Sequence, residues 1–150
     1  MTSDIEEMGP IDYLIVEFPG SRMSGEGLPL LVDLVDRGII RILDLVFIRK
    51  LPDGAVMRME LTGGRTNGQP DLSMFEGASS GLLDQGDIDA AAETIRPDST
   101  AGLLVYENRW AAPLATALRR GGAQLVGGGR IPVQAILAAL DAADAARQRA

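Results

Sequence analysis

The chain has 150 residues, 46% of them hydrophobic and 23% charged, which suits one globular domain and is too apolar for a disordered chain. Its net charge of −7, from 14 basic and 21 acidic residues, opposes a phosphate backbone at long range, and no basic stripe offsets it; nucleic acid is not an expected partner. The absence of Cys and His removes disulfides, thiolate nucleophiles, zinc knuckles, imidazole bases and Ser-His-Asp triads. What remains for catalysis is carboxylate, Tyr, Ser/Thr, Arg and one Lys, Lys50, so a binding role is favoured, an enzyme using Glu, Tyr or Arg chemistry stays a third reading, and no cofactor or metal is expected.

Residues 1–10 read as a flexible acidic lead-in. They lack the basic start and apolar run of a secretory signal, and no apolar stretch is long enough to cross a bilayer, so the expected location is cytoplasmic. Residues 11–148 read as a single domain. Ile11 to Phe18 is the first strand, ended by Pro19-Gly20. A helix starting at Ser24 or Glu26 carries Leu28, Leu31, Leu34 and Val35 at helical spacing and closes on Gly38.

Ile39 to Leu51 is the second strand, with Asp44 marking a bulge or an edge. Pro52-Asp53-Gly54 turns it into a third strand over 55–61, a hairpin. Residues 62–82 form a glycine-punctuated, loop-rich insertion with a short helix expected near Leu72 to Phe75. Asp84 caps the next helix, whose Ile88, Ala91, Ala92 and Ile95 share a face, and Pro97 stops it. Thr100 to Tyr106 is the fourth strand and Trp110 to Arg120 a third helix. A fifth strand is expected from Ala123 to about Gly127, then a last helix from Val133 burying Val133, Ile136, Leu137 and Leu140.

One phrase occurs twice. Pro29-Leu30-x3-Leu34-x3-Gly38 returns as Pro113-Leu114-x3-Leu118-x3-Gly122, each preceded by an apolar run ending in an acid, Glu17 or Glu107. The order β-α-β-β-α-β-α-β-α therefore reads as an α+β domain: a ferredoxin-like βαββαβ sheet extended by a further αβα, with right-handed crossovers placing the helices mainly on one face. The strands are too apolar for the other face to meet water. That face is then covered by the loop around Gly63 to Gly81 or paired with a second subunit, and homo-oligomerisation through it, as a dimer, is the preferred reading.

Three groups of residues invite functional readings. Glu17 and Glu107 resemble a carboxylate pair, but antiparallel neighbouring strands would hold them too far apart to share a reaction. Gly127-Gly128-Gly129-Arg130, just before a helix, has the makings of a small-anion or nucleotide site, though without P-loop spacing. Glu107-Asn108-Arg109-Trp110 holds the only Trp and combines residue types enriched in interface hot spots, so it is a candidate partner-binding site, beside the plainer reading of a Trp that staples its helix to the core. Met57, Met59, Met74 and Phe75 offer an adaptable apolar surface or ordinary core filling.

Several stretches resemble a small actinobacterial family of unknown function: Gly9 to Tyr13 with Val16 to Gly20, Arg37-Gly38 with Arg41 to Lys50, Tyr106 to Pro113, and Gly128 to Pro132. That family is distantly similar to a wider group of uncharacterised membrane or stress-related proteins, which carries an apolar Gly/Ala-rich hairpin in the central segment. Asp71 to Gly81 here is too polar and short to insert, so no membrane insertion is expected. The resemblance implies no catalytic residues. The expectation from the residues is a self-associating binding or regulatory module, to which the resemblance adds a stress-related role, with anion or nucleotide sensing through Gly127 to Arg130 as the alternative.

Overall fold

Four strands form one antiparallel sheet in the order β1-β4-β2-β3 in the computed structural model, which describes residues 7–22, 25–59 and 75–149. The strands are β1 (Ile11–Pro19), β2 (Ile40–Lys50), β3 (Val56–Arg58) and β4 (Ser99–Asn108). The helices are α1 (Gly27–Asp36), α2 (Gln85–Glu93), α3 (Ala112–Arg120) and α4 (Val133–Arg149), with a 3-10 turn at Arg109–Ala111. The chain is thus α+β. β4 lies between β1 and β2, which preserves the split unit, but the centre of the sheet is β2 and β4. A ferredoxin-like sheet puts β1 and β3 there, so that expected order is not the one observed.

β2 and β4 take the centre because they are apolar on both faces. Opposite pairs Val46–Leu103 and Ile48–Ala101 point to one side, and Leu45–Leu104 and Phe47–Gly102 to the other. On the first side α2 lays Ile88, Ala91 and Ala92, and the turn after it Ile95, over Val46, Ile48, Ala101 and Leu103. On the second side α1 packs Leu28, Leu31 and Val32 against Leu45, Phe47 and Phe75. Each large side chain so buried contributes on the order of 1.5–3 kcal/mol. Gly102 makes room for the Phe47 ring: a Cβ there would stand 3.1 Å from its edge.

Helices therefore cover both faces of the sheet, against the expectation of one. Two crossovers of the same hand would have put α1 and α2 on the same side. Instead the chain passes around the edge of β2 that the short β3 leaves open. Phe75 is buried on the α1 side, while Leu83 packs on the α2 side. The passage is pinned at a bulge, where the β2–β4 register slips between Ile42 and Asp44. Fully buried Asp44 accepts backbone N–H groups from Leu45 and Ser80, each at 2.9 Å, and from Leu83 at 2.7 Å. Ser80 Oγ donates to the carbonyl of the extra residue, Leu43, at 2.7 Å. Of the two readings of Asp44, a bulge or an edge, the bulge is the one present, and it carries a chain crossing as well.

Local signals hold closely elsewhere. Asp84 and Asp87 form a reciprocal capping box at the start of α2. Gly54, at positive φ, completes the Pro52-Asp53-Gly54 turn. The doubled phrase is a doubled helix ending: Gly38 and Ile39 donate to Val35 and Leu34, and Gly122 and Ala123 donate to Arg119 and Leu118. Both are Schellman closures on a left-handed glycine. The short helix expected near Leu72 lies outside the described residues, Phe75 excepted, as do residues 62–74 of the insertion, residues 60 and 61 of the expected third strand, Ser24 and residues 1–6 of the lead-in.

The C-terminal part departs most from expectation. Residues 123–132 form no strand, since they have no neighbouring backbone to pair with, and three successive glycines add no side-chain packing. The sheet is not extended by a fifth strand. α4 follows as a 17-residue helix with no buried residue, so Val133, Ile136, Leu137 and Leu140 face solvent. Its apolar stripe exists, but among the described residues none of its side chains is buried.

Candidate functional site

The penultimate residue of β4 is Glu107, 1% exposed, around which the end of the sheet is organised. Arg41 Nε on β2 donates to its carboxylate at 2.9 Å, the backbone N–H of Gly9 donates at 2.8 Å, and Arg109 stands 3.7 Å away. Both arginines are half exposed, so their charge is shared between water and the buried acid. Gly9 must be glycine here, since a Cβ would fall 2.2 Å from the Asn108 carbonyl oxygen. Glu107 thus ties the incoming N-terminal segment to β2 and to the turn leaving β4.

The next residue carries the second layer. Asn108 Nδ2 donates to the Pro10 carbonyl and to Asp12 Oδ2, both at 3.0 Å, while its Oδ1 accepts the Trp110 indole N–H at 3.2 Å. Trp110 is 67% exposed, held by this bond and by its backbone N–H to Ile39. The ring is displayed and does not staple a helix to the core. Arg130 reaches the same place from the glycine-rich segment, donating to the Tyr106 hydroxyl and standing 3.9 Å from Asp12. Asp12 therefore joins the two sequence-derived sites, Glu107 to Trp110 and Gly127 to Arg130, at one end of the sheet. Asp12 was not singled out by spacing or composition: it sits in an apolar strand, and only the β1–β4 register, which sets it opposite Tyr106, reveals it.

Gly127, Gly128 and Gly129 lie in the exposed non-helical stretch, and α4 begins only at Val133. The Arg130 guanidinium is already occupied by Asp12 and Tyr106. Glu17 and Glu107 are not brought together. In the antiparallel register Glu17 opposes Ala101 whereas Glu107 opposes Ile11, six positions away, a separation of about 20 Å along the strand. Glu17 accepts the backbone N–H of Arg96 at 2.7 Å. Lys50 caps the end of α2, donating to the Ala92 and Ile95 carbonyls at 2.8 and 3.2 Å. Among the described residues no cluster of acids has a metal-binding arrangement. Of the Met/Phe group, Phe75 is core, Met59 is partly buried against it, and Met57 is exposed; Met74 lies outside the described residues.

A feature that the sequence did not announce is an apolar groove of about 550 Å³ between β1 and α2. Tyr13, Ile15, Leu82, Leu83 and Ala91 are among its walls. It arises because α2 covers β2 and β4 but stops short of β1, whose Ile11, Tyr13 and Ile15 remain exposed on that side. The centre of this sheet face is thus covered by a helix of the same chain, while apolar side chains stay exposed along its β1 edge.

Residues 7–148 match DUF6325, a family of unknown function, and the chain belongs to that family. No curated protein and no solved structure is significantly similar to it. No described helix is long and apolar enough to cross a membrane.

Proposed function

We propose that this member of the family is a non-catalytic, self-associating α+β domain that serves as a binding or regulatory module. The observation that carries this reading is the distribution of uncovered apolar side chains. Among them are two runs, one on β1 at Ile11, Tyr13, Ile15 and Val16 and one along α4 at Val133, Ile136, Leu137 and Leu140. Exposed apolar residues concentrated on one strand and one helix mark contact surfaces more than scattered ones do. The fully buried acids, Asp44 and Glu107, support a non-catalytic role because backbone and arginine bonds occupy them. Partner binding at Glu107 to Trp110 falls on Arg109 and Trp110, the two side chains of that group that reach solvent. A stress-related role accords with the resemblance noted for the sequence and belongs to this proposal. Sedimentation velocity at micromolar concentration tests its core: a dimer is expected, and a compact monomer that also retains no protein partner in a pull-down overturns it.

A further inference from the structure

We infer that β1 is the self-association element: its outer edge pairs antiparallel with β1 of a second copy, about a twofold axis through Ile15. This inference rests on the self-association proposed above and specifies its surface.

An edge strand presents outward N–H and C=O groups that only another extended chain can pair in register. The two edges of this sheet are built differently. β3 has three residues, directly after a proline turn, which blunts that side. β1 has nine residues in unbroken register with β4, with no bulge, no Lys or Arg, and proline only at its last position. It is apolar on both sides, with Tyr13 and Ile15 exposed on the α2 face and Val16 on the α1 face. Such an edge is the kind that proteins otherwise protect.

The charges on the strand favour a second copy over a foreign basic segment. The two acids of β1 already have partners: Asp12 has Asn108 and Arg130, and Glu17 has the Arg96 N–H. No cation is required from outside. In an antiparallel pair about a twofold axis, residues opposite one another share a sheet face. Asp12 and Glu17 lie on different faces, so they never oppose each other across such an axis. An axis at Ile15 overlaps the whole strand. It sets Leu14 opposite Val16 of the partner subunit, Tyr13 opposite Glu17 of the partner subunit, and Ile15 against itself. The result is a continuous eight-stranded sheet in which the grooves beside Tyr13 and Ile15 of the two copies meet.

A cysteine-free chain allows a direct test. In Ile15→Cys the two sulfurs would face each other across strands whose Cα atoms are about 4.5–5.5 Å apart, within disulfide range. Under mild oxidation the expected result is a covalent dimer formed at least tenfold faster than by Leu125→Cys, a well-exposed control outside β1. Circular dichroism checks the fold of each variant. If Ile15→Cys is misfolded, an equimolar mixture of Tyr13→Cys and Glu17→Cys takes its place, and their hetero-cross-link is the expected product. A wild-type dimer whose β1 variants cross-link no faster than the control overturns the β1 assignment and leaves self-association standing. A wild-type monomer overturns both.

Discussion

Leu83 donates its backbone N–H to the buried carboxylate of Asp44 at 2.7 Å, at the point where the chain changes from one side of the sheet to the other. With the bonds from Leu45 and Ser80, this makes one acid the anchor of the β3–α2 connection. Replacing it by alanine would leave three backbone donors facing a gap. Asp44→Ala is expected to cost about 3 kcal/mol. That corresponds to a melting temperature lower by roughly 6–12 °C. Asp44→Asn, which retains one acceptor oxygen, falls between the two. Thermal unfolding followed by circular dichroism measures both, and an unchanged midpoint in Asp44→Ala contradicts the anchoring role.

Glu107 differs from Asp44 because two of its partners reach water. Glu107→Ala leaves Arg41 and Arg109 able to hydrate, so the expected cost is about 1–3 kcal/mol and not the larger penalty of a stranded buried charge. Its local signature is faster amide exchange at Gly9, whose N–H loses its acceptor. Exchange at Gly9 no faster than in the wild type counts against this role.

The contact between Gly102 and Phe47 tests the packing of the α1 face. A methyl at position 102 would press on the ring, and Gly102→Ala is expected to destabilise by about 1–3 kcal/mol. Adding Phe47→Leu should cost less in that background than in the wild type, because the smaller side chain relieves the overlap. A double-mutant cycle in urea reads this coupling directly.

Trp110 is exposed and makes one side-chain hydrogen bond, so Trp110→Ala should change stability by no more than about 0.5 kcal/mol. Any loss of partner capture in the same variant then reports recognition and not unfolding. A large stability loss would mean that the ring supports the fold.

An anion at Gly127 to Arg130 has to compete with Asp12 for the arginine. Nucleotides and phosphorylated metabolites at millimolar concentration are therefore expected to leave the melting temperature of the wild-type protein unchanged. Asp12→Asn, which removes the competing charge, is the variant in which a shift would emerge. A clear shift in the wild type favours the sensor reading.

Sequence reading succeeded where the signal was local. The Asp84 cap, the Pro52-Asp53-Gly54 turn, the bulge at Asp44 and the glycine-closed helix ends all follow from residues within a few positions of one another. The candidate site was legible only in pieces. Glu107 to Trp110 and Gly127 to Arg130 stood out by residue type, whereas Asp12 could not, because it is brought to Asn108 by pairing between segments 96 residues apart.

The doubled phrase shows where the division falls. Both copies form helices that end in the same hydrogen-bonded closure, since a glycine able to take positive φ and the carbonyls it caps are neighbours along the chain. Their surroundings were not encoded with them. α1 packs Leu28, Leu31 and Val32 on the sheet, while α3 has no buried residue and no strand follows it. Which apolar stripe is covered depends on strand order and on the side each connection takes, and the chain's route around the open edge of β2 settled both. Local stereochemistry acts within one turn of chain; burial is a competition among all the apolar surfaces at once, and it is decided only when the sheet has formed.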